Sequence, residues 1–271
     1  MFVTRFVVCV LAAALLAGCQ PQPNKQHADR NKFYQDVKTA SVVVQEKYGV
    51  HTGIALPFRN YVEAWLRIAN VAVVDEGAAA SDCIIRIAAE GEPLKARYGS
   101  SGSLFTGARL SGTLQIERPS LHKDEVRFSE VVDPPRTFAS SGTIDYARPE
   151  NAPFVQALIA GEGSKTAGAG KTVFDGFKLR LAVLMGRYFG RSVLLIALDD
   201  YNSNGLLRDS AVDALAAQGK PAIPFLIDAF RFCSPTAEKG VGEALEKITG
   251  QKFGSDAKRW NEWLGRQGQK Q

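Results

Sequence analysis

The pattern of apolar and polar positions changes character once along this chain, near residue 171. Before that point the spacing is mostly that of strands. Val42-Val43-Val44 has β-branched density. Val62, Trp65, Leu66 and Ala69 then fall at i, i+3, i+4 and i+7, one face of a helix. Val71 to Val74 is again strand-like, and Cys83, Ile85 and Ile87 alternate with Ile84, Arg86 and Ala88, a strand apolar on most of both faces. Leu110, Leu114 and Ile116 alternate with Arg109, Ser111, Thr113, Gln115 and Glu117, predicting a strand with one wet face, as in antiparallel sheets. Val126 and Phe128 continue the pattern until Asp133-Pro134-Pro135 must end it. The small residues from Tyr98 to Gly107 read as a long hairpin connection rather than a ligand-binding loop. Together these segments predict a helix packed on a small, mainly antiparallel sheet over 33–150.

A short helix is expected at Ala152 to Gly161, then a linker from Glu162 to Gly170, so that 151–170 connects two units. From Lys171 to the end no strand alternation returns. Phe174, Phe177, Leu181, Met185 and Tyr188 mark a helix with a wide apolar stripe. The chain then repeats itself: Arg208 to Leu215 matches Glu238 to Leu245 at an offset of 30 (238 − 208), and Leu194 to Leu198 matches Leu226 to Phe230 at 32 (226 − 194). Two helices in about thirty residues is a helical solenoid period. The punctuation agrees: Gly219 with Pro221, Ser234 before Pro235, and Gly250 after its helix. This stretch resembles the short HEAT-like repeats of bacterial proteins over about 190–250. The resemblance implies an all-α repeat domain over 171–271, completed by helices at 171–189 and 256–265. Ile248 to Gly254 with Asp256, Trp260 and Trp263 looks like the terminal cap of such an array. Trp260 and Trp263 are expected as capping core, and are the candidate partner-binding residues if either is exposed. The fold class expected is therefore α+β followed by an all-α helical-repeat domain.

The amino end carries a different signal. Arg5 precedes the apolar run Phe6 to Leu16, too short to cross a bilayer, and small residues follow it. Leu16-Ala17-Gly18-Cys19 resembles the bacterial lipobox. That resemblance implies a signal peptide at 1–18, lipidation of Cys19, a membrane partner through the lipid, and location in the cell envelope. Gln20, where an Asp would favour the inner membrane, leans towards the outer membrane facing the periplasm. Gln20 to Lys32 has two prolines, amides and charges, and no apolar residue but Ala28; 19–32 therefore reads as a tether.

Composition narrows the function. Lys plus Arg number 33 against 28 acidic residues, a mild and scattered excess that does not suggest a nucleic-acid partner. Cys83 and Cys233 are expected as free, partly buried thiols rather than a bridge. Ala167 to Thr172 ends like a phosphate loop, but Lys165 stands where the first glycine belongs. His27, His51 and His122 have no ligand spacing, so neither metal nor cofactor is expected, and no nucleophile motif points to an enzyme. The leading expectation is a non-catalytic envelope lipoprotein that binds a protein partner. The rivals are an envelope hydrolase and a binder of a small ligand or anionic glycolipid through Lys95, Arg97, Arg109, Arg118 and Lys123.

Overall fold

The computed structural model describes residues 30–48, 55–75, 81–97, 103–132, 173–199 and 207–268. Their order is β1 (Thr39–Lys47), α1 (Phe58–Ile68), β2 (Ala72–Val74), β3 (Cys83–Arg97), β4 (Ser103–Arg118), β5 (His122–Val132), α2 (Val173–Phe189), α3 (Arg191–Ala197), α4 (Arg208–Ala217), α5 (Ile223–Ala229), α6 (Pro235–Thr249) and α7 (Ala257–Gly268). The fold is α+β, with five strands and seven helices among the described residues.

The strands form one sheet in the order β2-β1-β3-β4-β5. Its longest joins, β3 to β4 and β4 to β5, are antiparallel. β1, however, lies parallel to both neighbours, because α1 carries the chain across the sheet between β1 and β2. Such a crossover was not visible in the alternation, which reports burial and not strand direction. β3 and β4 run to 15 and 16 residues and pair as far as Arg97 opposite Ser103. The hairpin connection expected at Tyr98 to Gly107 is thus shorter, since Ser103 to Gly107 belong to β4. Backbone ladder bonds need no apolar side chain, so a run of small residues hides a strand.

One face of the sheet is apolar. Val42, Ile85, Ile87, Leu110, Leu114, Ile116 and Phe128 are buried on it. Gly112 lies in the same row because a Cβ there would meet the Ala88 carbonyl oxygen at 2.0 Å and the Phe128 ring at 2.8 Å. Helices α1 and α2 cover this face. Phe177 of α2 sits 4.7 Å from the Phe58 ring of α1 and 5.6 Å from Phe128, ring centre to ring centre.

The remaining helices continue outward from α2. It packs against α3 and α4; α4 packs against α6, α6 against α5, and α5 against α7. Arg208 meets Glu243 at 2.7 Å, and Lys247 meets Asp213 at 2.6 Å, both between α4 and α6. The helix ends follow their cap chemistry. The Ser234 hydroxyl accepts from the Ala237 N–H, Pro235 opens α6, and Gly250 closes it at φ 74. Apolar residues from the sheet to α7 form a single buried cluster. The expected helix at 152–161, the linker and the phosphate-loop lookalike lie outside the described residues.

Candidate functional site

A grouping of polar and aromatic side chains lies where the first described residues cross the joint between sheet and helices. Arg30 is buried, donates to the carbonyls of Val37 and Ala69, and sits 5.5 Å from the Phe189 ring centre. Burial lowers the pKa of its guanidinium. The Asn31 N–H donates to the Tyr188 carbonyl at 3.1 Å, so residues 30 and 31 are pinned to the end of α2. Two residues on, the chain turns to the sheet. Phe33 stacks on His122 at 5.0 Å, and the Tyr34 hydroxyl is hydrogen-bonded to His122 Nδ1 at 3.1 Å. Arg118, at the end of β4, donates to the Phe33 carbonyl at 2.6 Å and grips both carboxylate oxygens of Asp36.

From the other side α2 closes the same joint. The Tyr188 hydroxyl donates to Asp124 Oδ2 at 2.5 Å and Arg187 pairs with the same oxygen at 3.0 Å. Burial opposes ionisation of Asp124, but the Tyr188 hydroxyl, the Glu125 N–H and Arg187 together hold its carboxyl below the usual range. Burial and then Asp124 push the Tyr188 phenol up to about 12, and burial raises Tyr34 further. Both phenols therefore keep their protons at neutral pH and serve as fixed donors. The chemistry of this grouping is that of a clasp.

A second candidate is an open hollow of about 440 Å³ between α2, α3 and α4. Val183, Gly186, Arg187, Arg191, Ala214 and Gln218 line it. Arg187 is already bound to Asp124, and the Arg191 guanidinium lies 5.4 Å from the Phe225 ring centre. The Gln218 amide oxygen is buried with no hydrogen-bond partner among the described residues.

The residues singled out from sequence are dispersed. Trp260 is fully buried: its ring packs edge-on to Phe253 at 4.8 Å, and its Nε1 donates to the Gly254 carbonyl at 2.9 Å. A side chain with no exposed surface offers a partner nothing to touch. Trp263 is half-buried, 6.1 Å from Trp260, and keeps some open surface. Cys83 and Cys233 are free thiols; burial pushes them up to about 12 and about 11. Of the cations considered for an anionic ligand, Arg109 pairs with Glu92 at 3.5 Å and Arg118 is held by Asp36. Lys123 faces Glu117 across the ladder, on the outer face of the sheet. Lys95 and Arg97 lie on β3, with side chains outside the described set, as is all of Cys19. The sequence reading met Tyr188 only as part of an apolar stripe and His122 only as an isolated histidine, and did not group them with Tyr34 and Asp124. Tyr34 and His122 are 88 residues apart, Asp124 and Tyr188 64, and no local period links them. The one available signal was a pair of aromatics, Phe33-Tyr34 and Tyr188-Phe189, each flanked by charge.

No family model matches the chain, and no curated protein does. Among solved structures it is similar to a minor lipoprotein of Acinetobacter baumannii, at 15% identity over 44% of this chain and 81% of that one, TM-score 0.26. It is also similar to rare lipoprotein B of Shewanella oneidensis, at 18% identity over 44% and 94%, TM-score 0.19. A third likeness is to a homolog of a neuraminyllactose-binding hemagglutinin from Helicobacter pylori, at 12% identity over 54% and 93%, TM-score 0.22. The first two are bacterial lipoproteins. TM-scores of this size carry no argument about the fold or function of this chain.

Proposed function

We propose that this protein is a bacterial lipoprotein, cleaved before Cys19 and lipidated there, that serves as a non-catalytic interaction scaffold on an envelope membrane, the outer membrane facing the periplasm being the location Gln20 favours. The lipoprotein part rests on Arg5, the apolar run and Leu16-Ala17-Gly18-Cys19. A diacylglycerol with a further acyl chain, at about 0.8 kcal/mol per buried methylene, would make release negligible. The scaffold part rests on one observation: α4 packs between α2 and α6, and the two repeat units are tied side by side by Arg208 and Glu243. Glu243 is the repeat counterpart of Asp213, at the same offset of 30 (243 − 213). HEAT-like arrays bind partners along surfaces of this kind.

Two measurements test the two parts. Labelled palmitate should enter the wild-type chain in a bacterial host and be absent from Cys19→Ser; equal labelling of both chains would remove the anchor. A photo-crosslinking residue at Lys239 or Glu262, both exposed on the helical side, should trap one defined envelope protein. The same probe at Arg127, on the sheet's outer face, should not. Crosslinks confined to Arg127 would move the binding surface to the sheet.

A further inference from the structure

We propose that the connection between α3 and α4, residues 199–206, binds a calcium ion through oxygens of Asp199, Asp200, Asn202 and Asn204. In Asp200-Tyr201-Asn202-Ser203-Asn204-Gly205 a carboxylate and two amides recur at alternate positions, and a glycine follows the third. In calcium loops of this spacing the three side chains offer oxygen, the glycine permits the sharp bend, and the next backbone carbonyl is a further ligand. The histidines of this chain have no ligand spacing, but a hard cation takes oxygen and not nitrogen. The pattern occurs once in the chain, and it falls between two helices, α3 ending at Ala197 and α4 starting at Arg208. Residues 200–206 lie outside the described residues, whereas Asp199 and α4 are within them.

Asp199 shows independently that a positive charge belongs here. Its Oδ1 is covered and has no hydrogen-bond partner. Its N–H closes the last turn of α3 on the Ile196 carbonyl at 3.0 Å, which sets the carboxylate at the negative end of that helix, with Asp200 next in the chain. Glu238, in the first turn of α6, adds to the same field: after burial, it and Asp199 are what raise the Cys233 thiol. Neither Asp199 nor Glu238 forms an ion pair among the described residues. Arg208, at the far end of the connection, is taken by Glu243 at 2.7 Å and Asp209 at 3.1 Å. A covered carboxylate oxygen with no donor, among other acids, is costly unless a cation meets it. Among the described residues no three His, Cys, Asp or Glu side chains converge on a metal position, so the connection itself supplies the ligands. The place where a full calcium loop carries a bidentate glutamate falls on Ala211, buried in α4. Asp199 brings the second carboxylate from the other side. Without the bidentate group, affinity is that of weak extracellular sites, a Kd of about 10⁻⁴–10⁻³ M. A cation held there would stiffen the step between α3 and α4, where the repeat array begins.

The test titrates calcium chloride into the full chain in a neutral detergent, read by calorimetry and by the thermal midpoint. One site should fill, magnesium should bind roughly tenfold more weakly, and the midpoint should rise by several degrees at saturation. Terbium in the same site should emit on excitation of Tyr201, and Tyr201→Leu should lose most of that emission while keeping the calcium heat. Asp200→Ala should weaken binding by roughly tenfold or more. Asn202→Asp with Asn204→Asp, which adds charge, should strengthen it severalfold, a gain that a misfolded variant could not imitate. Asp228→Asn, which removes an acid of α5 already paired with Arg231, should change nothing. No heat at about 10 mM calcium, well above the Kd expected, would leave only a polar link between helices and overturn the site. Binding that survives Asp200→Ala unchanged, or that the double aspartate variant does not strengthen, would place the cation elsewhere and overturn it equally.

Discussion

Gly242 shows how little freedom single residues have in the far end of this molecule. A Cβ there would stand 2.3 Å from the Gly254 carbonyl oxygen, which already accepts from Trp260 Nε1. Both groups are backbone or buried ring, so neither can move aside cheaply. Gly242→Ala should cost about 1–3 kcal/mol, read as a lower urea midpoint with unchanged slope. The Asp36 carboxyl gives a pH-dependent case. Hydrogen bonds from Arg118 hold it at about 2, against an ordinary 3.8. A depressed carboxyl contributes stability that is present above its ordinary value and is lost as pH falls towards the folded one. The wild-type chain should therefore lose stability between pH 3.8 and about 2, and Asp36→Asn should be less stable at neutral pH and flatter in that window. Denaturant midpoints across the acid range decide it. The thiols belong to the same scale: with Cys83 pushed up to about 12 and Cys233 to about 11, both should react with a disulfide reagent far more slowly in the native protein than in urea.

Among the elements, α2 has two jobs. Phe177 faces Phe58 and Phe128 under the sheet, while Gly186 lets Leu194 of α3 approach to 2.7 Å from where its Cβ would be. A helix asked to bury opposite sides must be apolar round most of its circumference, which is why Phe174, Leu181, Leu184, Met185 and Phe189 are all buried. The wide stripe was legible in sequence; its reason was not, since a stripe does not say what lies on each side. Phe177→Ala should cost about 3–5 kcal/mol. It should loosen the Trp65 and the Trp260 environments together, which fluorescence would show. The cap residues were read correctly for a simpler reason. Ser234, Pro235 and Gly250 act on backbone groups three or four positions away, so their meaning survives without tertiary context.

At the scale of the molecule, the sheet and the helices share one buried cluster and are pinned by one clasp. Neither half keeps its apolar face covered without α2. We expect one cooperative transition, with far-UV circular dichroism and tryptophan fluorescence coincident on heating or in urea. Non-coincident curves would show that the outer helices α6 and α7 unfold as a separate unit, as long repeat arrays do. Tyr188→Phe, which removes only the hydroxyl that meets Asp124, should lower the midpoint of that one transition without splitting it.

Period and local chemistry were enough to place most of the described helices and strands and their caps, because each rests on neighbours a few positions apart. Leu16-Ala17-Gly18-Cys19 is likewise read from adjacent residues alone, and it lies outside the described residues. Tertiary structure alone decided that β1 runs parallel to β2 and β3, that Trp260 is sealed against Phe253, and that the chain locks onto Tyr188 and His122 as it enters the fold. Those outcomes depend on which distant surfaces meet, and the free energy of burying them is shared by residues that no sequence window contains together.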